Sequence, residues 1–552
     1  MTNHQIADYF ELYAKLLDLH GENSFKVKSY ANAAFTIDKW MSPLAEMDEA
    51  AIAAIRGVGA AIAEKISVLL KTGELTPLQE IILQTPPGIL EIMQIKGLGP
   101  KKIALLWKDL GIESIGELEY ACQENRLLGL KRFGEKTQLS ILQQIQFMQQ
   151  QKGWFLWAEA HQSALVIMPV LNAAFPDASF CFTGAYRMQD PTLQQIEIVC
   201  NTNLTTLQDW LATQEGIEIK TTSESLWAQW PHQIPIQFYI CSTHQMASTL
   251  FKTSCSPSFY DAFTARYTLL TDAETEAAIF EHNKLPFIEA CLRTHPDRLG
   301  QSSNPLIQAN DIKGIIHSHS TWSDGAHTLQ EMAEAAMAKG LEYLVISDHS
   351  QAAFYANGLS PERIKAQHEE IDRLNKKYAP FKILKSIEVD ILNDGQLDYS
   401  DDVLASLDLV IASVHSNLKM TEEKAMMRLL NAVNNPYTSI LGHPTGRLLL
   451  SRKGYPVNHE ALIDACADNN VVLELNAHPR RLDMDWRFIH LALQQDVLIS
   501  INPDAHAIEG YDDCRYGVMV AQKAGLSAVQ NLSSFNLAEI MEFVAFQQSK
   551  RN

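Results

Sequence analysis

The feature that most constrains this chain is a series of histidines and carboxylates, nearly every one of which ends a short apolar run. Gly314-Ile-Ile leads into His317, Leu344-Val-Ile-Ser-Asp into His349, and Leu409-Val-Ile-Ala-Ser-Val into His415. Short runs rich in β-branched residues are typical of buried strands. The complete series of candidate metal ligands is His317, His319, Asp324, His349, Glu388, His415, His443, Asp504 and His506.

Helical stretches separate these runs, as at Leu329 to Lys339 and Pro361 to Lys376. Alternating strands and helices predict a parallel sheet, either open or closed into a barrel. In a barrel the carboxyl ends of the strands share one face, so residues far apart in sequence would meet in one cleft. Burying so many imidazoles and carboxylates without a metal ion would cost much free energy of folding. Imidazole and carboxylate ligands suit zinc, manganese or iron better than magnesium.

The bulk composition sets limits on the class of protein. A chain of 552 residues is too long for one core, so we expect three or four domains. The net charge of −20 gives no general attraction to phosphates, so any DNA contact must be local. Scattered cysteines, no bilayer-length apolar run and no secretory start predict a cytoplasmic protein without a membrane partner. The sequence predicts no particular oligomeric state.

Residues 1–150 show helical periodicity and a repeated Gly-x-Gly pattern, once after Ile55 and again after Ile95. Glycines permit tight turns, and amides at the following helix N-terminus can hold a phosphate. This is the helix-hairpin-helix pattern. A single copy would equally describe a turn between packed helices, but two copies favour binding to the DNA backbone. The candidate DNA-binding residues are Gly57, Gly59, Gly97, Gly99, Lys101 and Lys102, with Lys131 and Arg132 beside a weaker third copy at Leu130–Gly134.

The middle of the chain changes character. Residues 151–240 predict an α+β domain, with a helix over Phe155 to Ala174 followed by four strand-like runs. Residues 241–300 are mostly helical, and residues 301–310 form a polar linker before a C-terminal domain over 311–552.

The order of these parts resembles bacterial family X DNA polymerases with a C-terminal PHP (polymerase and histidinol phosphatase) domain. The motifs that carry the resemblance are Phe25–Ala34, the two hairpins, Leu285–Arg293, His317–Gly325, Ile387–Asp390, Ser413–Ser416, Gly442–Arg447 and Asp504–His506. The resemblance implies an all-α helix-hairpin-helix domain, an α+β nucleotidyltransferase-like palm and thumb, and an α/β PHP domain folded as a distorted (β/α)7 barrel.

The resemblance also implies a ligand set for two or three divalent metal ions. His317, His319, Glu388 and Asp504 would hold one ion, and Glu388 would bridge to a second held with His415 and His443. Asp324, His349 and His506 would hold a third.

Other residues near these motifs have predicted supporting roles. Arg447, Arg452 and Arg481 could clamp a phosphate through bidentate contacts, or could equally form surface ion pairs. Asp348 and Asp390 are candidates for orienting the ligands. The run Leu473-Glu-Leu-Asn476 brings polar residues to the same face without an assigned role.

The palm departs from the family pattern. The motif that grips a nucleotide reads Gly184-Ala-Tyr-Arg187, and the metal-binding positions carry Gln195, Glu197 and Gln237. Two-metal phosphoryl transfer needs clustered carboxylates, and one carboxylate among three positions falls short. We expect a degenerate polymerase site kept as a scaffold or DNA cradle.

Some family members open abasic sites through a lysine Schiff base. Lys65 matches the nucleophile, with Tyr30 and Lys26 at supporting positions. Ala61, Glu74 and Pro77 stand where the family often has phosphate-gripping lysines, so Lys65 could instead be a solvated or phosphate-contacting helix lysine.

The sequence thus predicts a metal-dependent DNA phosphodiesterase, a 3′–5′ exonuclease of DNA repair with an abasic-site activity as an option, acting on single-stranded, gapped or 3′-ended DNA. Three alternatives stay open: a small-molecule phosphatase of the histidinol phosphatase type, an active family X polymerase, and a non-catalytic DNA-binding scaffold.

Overall fold

The computed structural model describes residues 1–123, 127, 130, 133–151, 153–231, 233–302, 304–450 and 453–551. The chain forms two compact units, Met1–Lys152 and Gly153–Asn552. Within the described residues, no helix is both long and apolar enough to cross a membrane.

The first unit is all α-helical, as the sequence predicts. Its helices are α1 (Asn3–His20), α2 (Ser24–Asp38), α3 (Glu49–Ala53), α4 (Ala60–Thr72), α5 (Thr76–Leu83), α6 (Pro87–Ile92), α7 (Pro100–Leu110), α8 (Ile115–Gln123) and α9 (Glu135–Gln151). One core joins them, and the apolar residues that frame the two Gly-x-Gly turns are buried in it.

The two predicted hairpins link α3 to α4 and α6 to α7. Gly57 and Gly59 have φ of 96° and 69°, and Gly97 has φ of 90°, a left-handed region that favours glycine. Gly59 and Gly99 each occupy the N-cap position of the following helix. Part of the predicted third copy, including Lys131 and Arg132, lies outside the described residues.

The second unit begins with the palm. Its elements are β1 (Phe155–Leu156), α10 (Trp157–Ala174), β2 (Phe180–Thr183), α11 (Gly184–Arg187), β3 (Thr192–Leu193), β4 (Ile196–Cys200), α12 (Leu204–Ala212), β5 (Glu218–Thr221), β6 (Ser225–Gln229) and β7 (Ile236–Ile240). The main sheet has the order β2-β4-β7-β6-β5, with β4 and β7 parallel. Strand β6 is not among the four strands predicted for this region; its residues alternate between buried and half-buried in the edge half of the sheet.

The thumb is helical and packs around a buried cation. Its helices are α13 (Met246–Thr253), α14 (Pro257–Thr264) and α15 (Glu276–His282). Arg293 is fully buried among Phe251, Phe280 and Phe287, and it pairs with Glu276 at 2.5 Å. A buried guanidinium needs such a partner because an unpaired charge in a core is very costly.

The rest of the second unit is a seven-stranded parallel barrel. Its strands are β8 (Gly314–Ile315), β9 (Tyr343–Ile346), β10 (Lys382–Asp390), β11 (Leu409–Ser413), β12 (Ile440–Leu441), β13 (Val472–Asn476) and β14 (Ile499–Asn502). They lie in sequence order in the sheet. A parallel bridge between Ser318 and Ala505 brings the two outer strands together, so the barrel nearly closes. The predicted distorted (β/α)7 barrel is therefore confirmed.

Helices cover the outside and one end of this barrel. They are α16 (Leu329–Ala338), α17 (Pro361–Tyr378), α18 (Asp401–Ala405), α19 (Glu422–Val433), α20 (His459–Asn469), α21 (Trp486–Gln494), α22 (Cys514–Ala524) and α23 (Leu537–Ser549). Helix α23 packs on residues at the amino ends of the strands, including Tyr343, Leu409 and Ile440. The carboxyl ends carry the candidate ligands, of which Asp324 and His506 have side chains that are 33% and 42% exposed.

A buried lysine anchors the palm to the barrel. Lys523 on α22 is 1% exposed. Its Nζ lies 2.9 Å from Asp190 Oδ1 and donates to the Met188 carbonyl at 2.8 Å. Beside it, Gln189 donates to Gln522 at 2.8 Å. The domain boundaries predicted at residues 240, 300 and 310 stay predictions. The contacts of Lys523 and Gln522 join residues that lie on opposite sides of all three boundaries.

Close packing at the start of β8 gives a stability prediction. A Cβ added at Gly314 would overlap the fully buried ring of Tyr343. We expect Gly314→Ala to lower the free energy of unfolding of the barrel by about 1–3 kcal/mol, measured by urea denaturation. Gly134→Ala is the control, because a Cβ there meets nothing within 4 Å. An unchanged denaturation midpoint for Gly314→Ala would contradict the packing described.

Candidate metal centre

The nine candidate ligands converge at the carboxyl ends of the barrel strands, around the carboxylate of Glu388. Glu388 is 1% exposed, although it is a charged residue. Five imidazoles approach its oxygens: His349 at 2.9 Å, His443 at 2.9 Å, His415 at 3.0 Å, His317 at 3.3 Å and His319 at 3.7 Å. Six apolar strand ends thus deliver polar side chains to one buried cluster.

The backbone at three ligands explains how the strand ends bring their side chains together. His317, His443 and Asp504 have φ of 66°, 23° and 53°, in the left-handed region. Such a conformation costs about 1–3 kcal/mol for a residue other than glycine and is found mostly at functional sites. As a result, Nε2 of His317 and Nε2 of His319 lie 3.4 Å and 3.1 Å from the same Asp504 oxygen. The His-x-His pair therefore faces one point, as expected for a strand that ends in a loop.

Three groups of donor atoms are close enough to share a cation. They are His317 with His319 and Asp504, His349 with Glu388 and His415, and His319 with Asp324, His349 and His506. Within each group, all ligand atoms lie within 4.8 Å of one another. The first group lies within the set predicted for the first ion. The third group contains the predicted set of Asp324, His349 and His506 together with His319. The second group contains His349 where His443 was predicted. The assignment of ligands to individual ions stays a prediction.

The donor chemistry fits divalent cations. Nε2 of His317 and Oε2 of Glu388 are buried, and among the described residues none of their close neighbours has the geometry of a hydrogen bond to either atom. Buried polar groups of native proteins are almost always satisfied, so these two atoms call for a partner at this position. Imidazole nitrogens mixed with carboxylate oxygens are the ligands of zinc, manganese and iron.

The charges of neighbouring histidines and carboxylates shift one another's pKa values within the cluster. Burial opposes the charged form of His415, but Glu388 and Asp390 outweigh it and raise its pKa to about 10. Burial likewise opposes charge on His506, yet Asp324 and Asp504 raise its pKa to about 9. Burial would raise the pKa of Glu388, but the surrounding imidazoles hold it well below its usual range. Protons therefore occupy positions that metal ions would take.

His319 behaves differently because burial is the largest influence on its pKa. Burial and the nearby His506 and His349 rings lower its pKa to about 3. Its ring centroid lies 4.2 Å from that of His506 and 4.4 Å from that of His349. A neutral imidazole held in this way is ready to bind a cation.

A second layer of carboxylates orients the ligands, and its main member lies in the run Leu473–Asn476, to which the sequence assigns no role. Glu474 is fully buried on β13. One of its oxygens lies 2.6 Å from Nδ1 of His317, and the other accepts from the His443 backbone amide at 3.0 Å. Asn502 donates to Glu474 at 2.8 Å. The signal was a glutamate inside an apolar strand, since a charge there needs a partner.

The two predicted orienting aspartates act in different ways. Asp390 lies 3.2 Å from Nδ1 of His415, so it contacts a candidate ligand as expected. Asp348 instead accepts from the backbone amides of Ser320 and Ser323 at 2.8 Å and 3.1 Å. It shapes the loop that carries Asp324.

Of the three arginines predicted to bind a phosphate, one described arginine lies beside the cluster. Nε of Arg481 lies 3.7 Å from Asp504, a candidate ligand. The guanidinium of Arg447 is engaged within the protein: it pairs with Asp485 at 2.6 Å and donates to the carbonyls of Arg481 and Leu482. It supports the loop of Arg481, as the ion-pair alternative foresaw. Arg452 lies outside the described residues.

The palm positions singled out in the sequence come together, but internal contacts occupy them. Glu197 on β4 pairs in register with Gln237 on β7, and Gln195 directly precedes β4. Glu197 accepts from the Tyr239 hydroxyl at 2.8 Å and from the Ala185 amide at 3.2 Å. A single carboxylate with its oxygens already hydrogen-bonded is a poor site for two hard cations.

Arg187, at the predicted nucleotide-gripping position, is also engaged within the protein. Its guanidinium donates to Ser254 at 3.0 Å and pairs with Glu276 of the thumb. Burial would raise the pKa of Glu276, but Arg187 and Arg293 keep it below its usual value. This triad ties palm to thumb.

The first unit presents its candidate residues at helix ends and on exposed helix faces. Lys101 is exposed in the first turn of α7, and Lys102 donates to the Gly97 carbonyl at 3.3 Å. Lys65 donates to Ala61 on its own helix, and Lys26 pairs with Glu22. A lyase role for Lys65 stays a prediction.

Comparisons with known proteins agree with this architecture. A helix-hairpin-helix domain model matches residues 1–75, a SAM-like helix-hairpin-helix tandem matches residues 89–146, and a PHP domain model matches residues 316–478. A Bacillus subtilis (strain 168) protein named DNA polymerase/3′-5′ exonuclease PolX is 33% identical over 568 aligned residues, which cover 99% of each chain. The chain therefore belongs to the family X DNA polymerases that carry a C-terminal PHP domain.

Other relatives match only part of this chain. A probable phosphatase of Thermoanaerobacter sp. (strain X514) is 26% identical over 249 residues, covering 42% of this chain and 95% of that protein. A probable phosphatase of Clostridium novyi (strain NT) is 31% identical over 170 residues, covering 29% of this chain and 63% of that protein.

The contact between Glu474 and His317 gives a metal-binding prediction. Glu474→Gln removes the charge that holds the His317 ring and its tautomer, so manganese affinity should fall about tenfold to a hundredfold. Isothermal titration of the metal-free protein measures this affinity. Glu460→Gln, an exposed position at the start of α20, is the control. Equal affinities in both variants would contradict an orienting role for Glu474.

The raised pKa values of His415 and His506 give a second prediction. Both imidazoles are protonated near pH 7 in the metal-free protein, with pKa values of about 10 and 9. Metal ligands must be neutral imidazoles, so metal binding should release protons and weaken as the pH falls. Titrations in buffers of different ionisation enthalpy count the released protons. Binding without proton release would contradict this account.

Proposed function

We propose that this chain is a divalent-metal-dependent DNA phosphodiesterase that removes nucleotides from 3′ ends. The observation that carries the proposal is the cluster around Glu388, in which all nine predicted ligands meet at the open end of the barrel. When bound there, divalent ions supply an activated water and neutralise charge on a phosphate. The His317–His319–Asp504 group and the His349–Glu388–His415 group would hold two of them, and Asp324 with His506 would complete a third site.

Arg481 binds the substrate phosphate in this proposal. Its guanidinium stands next to Asp504 at 3.7 Å, and its side chain is 22% exposed, so it can reach a phosphate oxygen. A planar guanidinium matches two phosphate oxygens at once. Arg447 fixes the loop beneath it.

The hairpins of the first unit supply a sequence-independent grip on DNA. The helix N-termini after Gly59 and Gly99 have no side-chain cap on their first amides, and the exposed Lys101 adds a local positive charge. Local contacts of this kind are what an acidic chain requires. Single-stranded, gapped or 3′-ended DNA is the proposed substrate, and the cytoplasm is the proposed location.

The palm serves as a scaffold in this proposal and does not synthesise DNA. Gln195 and Gln237 replace two carboxylates, and Glu197 is hydrogen-bonded within the protein. Lys523 and its contacts with Asp190 fix the palm against the barrel.

A second candidate is a phosphatase acting on small phosphate esters. It is favoured by the relatives named probable phosphatases, which match 42% and 29% of this chain. A small-ester phosphatase has no use for the helix-hairpin-helix unit, so the exonuclease accounts for more of the chain.

The test compares wild type with the His317→Ala/His319→Ala double variant on 5′-labelled single-stranded DNA with Mn²⁺. The double variant loses two nitrogens that face one cation position, so the rate should fall about a thousandfold or more, equivalent to ~4 kcal/mol. The exposed pair His244→Ala/His295→Ala is the matched control. Full activity in the His317/His319 variant would overturn the proposal. Turnover of histidinol phosphate without DNA cleavage would favour the phosphatase.

A further inference from the structure

A histidine outside the nine candidate ligands lies on the loop that follows β13. Strand β13 ends at Asn476, and His478 follows that residue by two positions. The Asn476 side chain donates to Asp504 at 3.0 Å and accepts from the His478 amide at 3.1 Å. One side chain therefore links the backbone of His478 to a candidate metal ligand.

The other end of the same turn approaches the same ligand. The amides of Arg481 and Leu482 donate to the His478 carbonyl at 2.7 Å and 3.1 Å. Nε of Arg481 lies 3.7 Å from Asp504. His478 is thus held in a closed turn between two residues, Asn476 and Arg481, whose side chains both lie beside Asp504.

The turn uses one ring nitrogen of His478 and leaves the other unused. Nδ1 accepts from the Arg480 amide at 3.2 Å. A ring nitrogen that accepts a hydrogen bond carries no proton, so the proton of the neutral ring is on Nε2. Within the described part of the chain Nε2 makes no hydrogen bond, and the residue is only half-buried. The ring therefore presents an N–H donor that the protein itself does not use.

The charges of the metal cluster act on this ring. Burial is the largest influence on the pKa of His478 and lowers it. Asp504 opposes that effect, while the positive charges of Arg481, Arg480 and His506 add to it. Coulomb interactions weaken with distance, so the ring and these charged groups are neighbours. With its pKa lowered, the imidazole is neutral near pH 7.

We propose that His478 donates a hydrogen bond from Nε2 to a nonbridging oxygen of the scissile phosphodiester, next to the guanidinium of Arg481. The inference rests on the proposed function of the barrel. Donors fixed in advance around a phosphate stabilise the charge that its oxygens carry in the transition state. A neutral donor also avoids the repulsion that a protonated ring would exert on metal ions held at Asp504. His478 is thus assigned to phosphate binding and not to metal binding.

The experiment measures kcat and KM on 5′-labelled single-stranded DNA with Mn²⁺. In His478→Asn the side chain can still accept from the Arg480 amide but has no donor at the position of Nε2, so kcat/KM should fall about a hundredfold. In His478→Gln the longer amide can place an N–H near that position and should keep about a tenth of the wild-type value or more. His295→Asn is the matched control, because Nδ1 of His295 accepts from the Asp297 amide at 3.5 Å in a turn of the thumb.

Sulfur substitution gives a readout that a purely structural role would not change. One nonbridging oxygen of the 3′-terminal linkage is replaced by sulfur, a weak hydrogen-bond acceptor, and the two diastereomers are assayed separately. In one of them wild type loses the contribution of His478. For that diastereomer, the ratio of the oxygen rate to the sulfur rate should be about tenfold smaller in His478→Asn than in wild type. An unchanged ratio for both diastereomers would overturn the inference.

The remaining outcomes separate the inference from the proposed function. Wild-type kcat/KM in His478→Asn would overturn the inference. Equal losses in His478→Asn and His478→Gln would also do so, since they would assign the ring to support of the turn. A lower manganese affinity in His478→Asn, measured by titration, would assign the ring to metal binding instead. A wild-type protein that cleaves no DNA would overturn the proposed function itself.

Discussion

The buried carboxylate of Glu388 is the constraint on which the rest of the barrel depends. Five imidazoles lie within 3.7 Å of its oxygens, and the residue is only 1% exposed. Such a group is stable only when opposite charge surrounds it. The left-handed backbone at His317, His443 and Asp504 and the carboxylates of Glu474 and Asp390 serve this arrangement. Strain and buried charge are thus concentrated where chemistry needs cations.

Much of the fold follows from local sequence. Apolar runs ending in histidine predict strands and a shared cleft because side chains at strand ends meet in any parallel barrel. The hairpins follow from Gly57 and Gly97, whose turns require a left-handed φ. The β6 strand was missed because its alternation is short and only half-buried.

The rest of the site depends on contacts between residues far apart in sequence. Glu474 meets His317 across 157 residues, and Arg447 meets Asp485 across 38. No local pattern distinguishes an arginine that will clamp phosphate from one that will hold a loop. The geometry of the palm positions was easier to predict than that of the barrel arginines. Glu197 and Gln237 were expected to be neighbours, and they are paired in register.

The account's central claim is that catalysis resides in the barrel cluster and not in the palm. The most direct measurement follows a 5′-labelled primer on a gapped template with Mn²⁺ and all four nucleotides. It compares wild type, Glu197→Ala and Glu388→Gln. The account predicts primer shortening, without extension, in wild type and Glu197→Ala, and loss of shortening in Glu388→Gln. Extension by wild type that disappears in Glu197→Ala would contradict it.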